Sequence, residues 1–120
     1  MKTIKTIEDC KSLMSDDDEI FVLSLSDDIA EAISSHIQIH KITTDGNNTE
    51  LTDKGIMALC KLHNLETLDL EWATNITDKS LERLALLQKL TYIDLMFCDK
   101  ISAHAIESFK RKLPNCTIEL

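Results

Sequence analysis

Four histidines, four cysteines and twenty-one acidic residues are the groups in this chain of 120 residues that could do chemistry. His36 and His40, in "HIQIH", are four apart, a spacing that can serve one metal on a helical face. At this point, however, a helix should be ending and a strand beginning, which sends the two rings apart. His63 and His104 have no cluster around them. The run Asp16–Asp17–Asp18–Glu19 has the carboxylate density of a calcium loop but lacks its alternating ligands and its glycine, so it reads as a solvated turn. Cys98 could be a nucleophile if an adjacent base activated it. No CxxC pair, no GxGxxG and no GxxxxGK[ST] occurs, so disulfide-exchange, dinucleotide and phosphate-loop chemistry have no support. The expectation is a non-enzymatic protein with no metal and no cofactor.

Composition narrows the partners. Formal net charge is -8, and no basic patch is visible, so no nucleic acid is expected. A basic protein surface is the natural counterpart. "MKTIKTIEDCK" has no apolar core of a signal peptide, and no stretch is long enough to span a membrane. Unpaired cysteines then point to the cytoplasm. Hydrophobic residues make up 43% of the chain, but aromatics only 4%. Leu and Ile must therefore build the core. Two glycines and one proline are too few for a fold made of many hairpins.

The elements that must position any functional side chain are repetitive. "LETLDLEWATNITDKSLERLALL" lies over "LTYIDLMFCDKISAHAIESFKRK" at an offset of 25: Leu65 on Leu90, Leu68 on Ile93, Leu70 on Leu95, Ala73 on Cys98, Ile76 on Ile101 and Leu81 on Ile106. "LTDKGIMALCKL" repeats "ITDKSLERLALL", after a strand carrying Ile39 and Ile42 and a turn with one extra residue. "NCTIEL" places Ile118 and Leu120 after Ile93 and Leu95. In "IFVLSL", Ile20, Leu23 and Leu25 have the LxxLxL spacing and start a shorter unit. A period in the twenties with one strand and one helix per unit describes a solenoid, in which each unit buries its apolar face only against its neighbours. Thr52, Thr77 and Ser102 stand where helix N-caps belong, with Asp53 and Asp78 beside the positive helix end. At the N-terminus, Thr6 caps a helix that places Ile7, Cys10, Leu13 and Met14 on one face.

These quoted repeats resemble leucine-rich repeats of the cysteine-containing subtype, LxxLxLxxCxxITDxxLxxL, familiar from F-box leucine-rich proteins and small bacterial repeat proteins. The ending "IESFKRKLPNCTIEL" is also similar to the C-terminus of the ATP synthase subunit s (factor B) group. The resemblance implies an α/β fold: a short right-handed leucine-rich-repeat solenoid, about five parallel strands on a concave face and helices on the convex face, with an N-terminal helical cap. One domain, residues 1–120, is expected, with a cap at 1–18, a short first unit at 19–38, three repeats at 39–113 and a closing strand at 114–120. In the resembled repeat, Cys98 takes a small buried position, an inert thiol rather than a nucleophile, and Ala73 stands there in the preceding unit.

Residues between the leucines point away from the core. Across the strands they form three expected rows: Val22, Lys41, Thr67, Tyr92 and Thr117; Ser24, Thr43, Asp69, Asp94 and Glu119; and Ser26, Asp45, Glu71 and Met96. Trp72, the one tryptophan, aligns with Phe97. An acidic stripe edged by Trp72, Phe97, Tyr92 and Met96 suits a basic, partly apolar segment of a protein partner. The expected partner-binding residues are Lys41, Thr67, Asp69, Glu71, Trp72, Tyr92, Asp94, Met96, Phe97 and Glu119. The bland alternative is a solubilising charged face with Trp72 stacked on Phe97 as architecture. A second expectation is a subunit or assembly factor that uses its helices or ends. A homodimer through the unpaired edge of "CTIEL" belongs to this reading.

Overall fold

The computed structural model describes residues 1–120. Strands and helices alternate along it: β1 (Lys2–Ile4), α1 (Ile7–Lys11), β2 (Glu19–Val22), α2 (Asp27–Ile33), β3 (Lys41–Thr44), α3 (Asp53–Leu59), β4 (Thr67–Asp69), α4 (Asp78–Leu84), β5 (Tyr92–Asp94), α5 (Ala103–Lys112) and β6 (Thr117–Glu119). All six strands pair in parallel, in chain order, in one open sheet. Each helix packs on the next. The architecture is α/β and compatible with a short leucine-rich-repeat solenoid.

The registers Leu68↔Ile93 and Ile93↔Ile118 reproduce the 25-residue offset, and Ile42↔Leu68 carries the one extra residue. Leu65, Leu68, Leu70, Ala73, Ile76, Leu81 and Leu84 are all buried, as are Leu90, Ile93, Leu95, Cys98 and Ile106 one unit on. They belong to one continuous core. In the β3 unit, Asn48 takes the place of Ala73 and is fully buried. Its Nδ2 donates to Thr44 Oγ1 at 2.8 Å and to the Glu71 carbonyl at 2.8 Å.

Thr52, Thr77 and Ser102 are the N-caps of α3, α4 and α5. The aspartates after them reach further than a dipole contact. Asp27, first residue of α2, accepts from the Thr52 amide at 2.8 Å and its hydroxyl at 2.7 Å. Asp53 accepts from the Thr77 amide at 2.8 Å and hydroxyl at 2.6 Å, and Asp78 from the Ser102 amide and hydroxyl, both at 2.7 Å. From α2 to α4, each helix start thus caps the next one, stitching the units together.

Three expectations need correction. The sheet gains a sixth strand, because Lys2–Ile4, inside the segment read as a helical cap, pairs with β2. In α1, Thr6 forms a capping box with Asp9 and Cys10 is buried. Ile7 and Met14 are nevertheless exposed, because the helix stops at Lys11 and leaves Met14 beyond it. Thirdly, Ile20 pairs with Ile42, not Leu23. The LxL part of the motif fits Ile20 and Val22 as well as Leu23 and Leu25, and the phase adopted buries Ile20, Val22 and Leu25. Val22 therefore faces the core, Ser26 is the N-cap of α2, and Phe21 takes the open-face position beside Thr43.

Candidate protein-binding face

The turn that follows each inner strand sets this site. Its central residue, four after the pivot of the strand, is Ser24, Gly46, Trp72 or Phe97, and all four have positive φ: 55°, 79°, 62° and 62°. The position favours glycine, and a bulky side chain there costs roughly 1–2 kcal/mol. Asp45, Asp69 and Asp94 hold the turn by accepting from the amide two residues on: Asn47 at 3.1 Å, Glu71 at 3.0 Å and Met96 at 2.9 Å. These are Asx turns, which shape a tight backbone corner with a side chain. Sequence reading took Asp69 and Asp94 as partner-facing charge and missed their part in the turn; the spacing from each Asp to the left-handed residue was the available signal.

Trp72 and Phe97 meet as expected from their alignment. Their rings stack with centroids 4.2 Å apart and an interplanar angle of 18°. Such a pair contributes about 0.5–1.5 kcal/mol beyond the area it buries, comparable to the backbone cost of one of its members. Stacking does not hide them. Trp72 keeps 45% of its surface accessible and Phe97 46%. The pair is both stacked and open to solvent.

Asp69, Asp94 and Glu119 stand side by side in register on β4, β5 and β6. Glu71 leans over Gly46. A methyl placed on Gly46 would lie 2.6 Å from Glu71 Oε1 and 3.9 Å from Trp72 Cδ1, so carboxylate and indole meet at one point. Burial, and then the charges of Asp94 and Asp69, push the Glu71 carboxyl above its ordinary range. Burial also raises Asp94; the Met96 amide opposes it, and Asp69 and Glu119 reinforce it. Tyr92 is pushed up by burial and then by Asp94, Glu119, Asp69 and Glu71. No lysine, arginine or histidine nitrogen lies within 4.0 Å of any of these carboxylates.

The remaining expected residues fall unevenly. Thr67 and Tyr92 adjoin in register, and Met96 accepts from the Trp72 amide at 2.9 Å. Lys41 is next to Thr67 but turns to Glu19 at 4.0 Å, away from the acidic stripe. Phe21, missed through the misread phase, extends the same face toward the N-terminal edge as a half-buried apolar residue. Elsewhere, His40 Nε2 approaches Asp18 Oδ2 at 3.5 Å and Glu19 Oε2 at 3.8 Å, which His36 does not join. The Cys98 thiol donates to the Leu70 carbonyl at 3.2 Å, and burial pushes it up to about 12. Cys60 is pushed up to about 11 by the same cause.

The residues that hold Leu68, Leu70, the Trp72 turn and α4 are also those that match a known family. Residues 61–85 match the family described as Leucine Rich repeat. This segment is similar to a leucine-rich repeat. The match supports a leucine-rich-repeat protein, and domains built from this repeat generally mediate protein–protein interaction. No curated protein matches the chain. No helix is long and apolar enough to cross a membrane.

Proposed function

We propose that this chain is a non-enzymatic, cytoplasmic protein-binding module, a single repeat domain whose open sheet face takes a basic, partly apolar segment of another protein. Asp69, Glu71, Trp72, Tyr92, Asp94, Met96, Phe97 and Glu119 carry the contact, with Lys41 and Thr67 at its margin. One observation carries the reading: a half-exposed aromatic stack, held on strained backbone, stands against carboxylates with no cationic partner. Large aromatics anchor interfaces, and uncompensated charge of one sign selects partners of the other. Nucleic acid and membrane insertion are outside this reading. The test is capture of partners by wild type, Trp72→Ala and Asp94→Lys, each checked for folding. Loss of the same partner in both variants is expected. Unchanged recovery in both sinks the proposed surface.

A second reading is favoured by β6, which ends the sheet with an unpaired edge and an exposed Leu120. Here the chain is a subunit or assembly factor of a larger complex, in the manner of factor B or a ubiquitin-ligase adaptor. It contacts other chains, including a second copy, through that edge. Light scattering after size exclusion separates the two. A strict monomer at high concentration removes the self-association form.

A further inference from the structure

The carboxylates of the open face differ in what they still offer. Asp69 uses Oδ1 for the Glu71 amide and Oδ2 for the Thr44 amide at 3.4 Å. Asp94 uses Oδ1 alone, at the Met96 amide. No hydrogen bond reaches Asp94 Oδ2, or either carboxylate oxygen of Glu71 or Glu119. The free acceptors therefore sit on three neighbouring strand ends, about 4.8 Å from one strand to the next. They border the Trp72–Phe97 stack: Glu71 precedes Trp72 in the chain and shares the space over Gly46 with its indole.

Resting on the binding reading above, we propose that the cation this face takes is arginine in preference to lysine. A guanidinium is a flat fork of five donors. It can bond carboxylates on two adjacent strands at once, and its face can lie against an aromatic ring while its edge does so. An ammonium is a compact, strongly hydrated point charge with no flat face to stack. This site presents free oxygens and exposed ring surface at the same spot, so it rewards the shape of the cation as well as its charge. The occupant is an extended segment carrying arginines, laid across β4, β5 and β6.

Trp72, as the sole tryptophan, reports on the site directly. The experiment titrates the full chain with three peptides of one design, alternating serine with arginine, lysine or neutral citrulline, and follows Trp72 emission and heat. Arginine binding about tenfold tighter than lysine is expected, with citrulline weaker than both. In Phe97→Ala the arginine peptide should lose most of that advantage. In Asp94→Asn both cationic peptides should weaken. Equal affinity for arginine and lysine overturns the inference and leaves the binding reading standing. Failure of both cationic peptides to bind overturns the two together. An identical emission change with calcium chloride alone overturns the inference by assigning the oxygens to a metal ion.

Discussion

Trp72 shows how a single residue separates architecture from use. Its backbone is left-handed, where glycine is strain-free. Trp72→Gly removes about 0.5–1.5 kcal/mol of stacking together with the burial of about half the ring, and relieves roughly 1–2 kcal/mol of backbone cost. Global stability by urea unfolding should therefore fall by no more than about 2 kcal/mol, while capture of the partner is lost. A loss of several kcal/mol would mean that the ring is structural after all. Gly55 makes the opposite case. A methyl there would meet the Asp27 carboxylate and Leu51 inside the unit junction. Gly55→Ala should destabilise the chain in the same measurement, although alanine is the better helix former.

At the level of the element, the aspartate stitches are the device that joins one helix to the next. Burial works against the charge of Asp53, but the Ser80 and Thr77 hydroxyls and the Thr77 amide outweigh it and hold the carboxyl below its ordinary range. Asp53→Ala strands those donors and should cost about 2 kcal/mol in urea unfolding. The series stops at α5, where Ala103 stands in the aspartate's place. Ala103→Asp should accordingly change stability by less than about 0.5 kcal/mol. A cost for Asp53→Ala no larger than this would remove the stitch as a stabilising contact. The N-terminal segment works as an element too. Ile4, Cys10 and Leu13 enter the core, and the Ile4 carbonyl accepts from the Leu23 amide at 2.9 Å. Deleting residues before Asp16 should lower the melting temperature or cause aggregation; a soluble truncation of equal stability would contradict the capping role.

Over the whole molecule the two sets of carboxylates pull stability in opposite directions with pH. Glu71 and Asp94 have raised carboxyls, against ordinary values of 4.5 and 3.8. Their contribution is complete below the unfolded values and is lost as pH rises through the folded ones. Asp53 and Asp78 are lowered from 3.8, Asp78 chiefly by the Ser102 amide. Their contribution is complete above 3.8 and is lost as pH falls through the folded values. Stability should therefore rise as pH is lowered from neutral toward the 4.5 region, then fall below 3.8. Asp94→Asn should be more stable than wild type at neutral pH and flatten the rise. Urea unfolding across the pH range checks both, and a monotonic loss of stability on acidification would refute the repulsion on the open face.

Much of this was legible in the residues alone. The 25-residue offset, the leucine and isoleucine ladder, the Thr/Ser caps and the Trp72–Phe97 alignment all follow from periodicity. Periodicity reports which face a residue takes and how far apart equivalent residues lie. Tertiary structure decided what periodicity leaves degenerate. "IFVLSL" holds two LxL pairs, and pairing with Ile42 chose the phase that buries Val22 and turns Phe21 outward. Asp53 and Asp78 carry no local sign that their hydrogen bonds go to the next unit, since that partner comes near only when the chain coils back on itself. The left-handed turn at Trp72 is likewise set by its Asx corner and the neighbouring strands rather than by the preference of tryptophan. That geometry is what leaves a large aromatic side chain stacked and half in solvent beside unpaired acids.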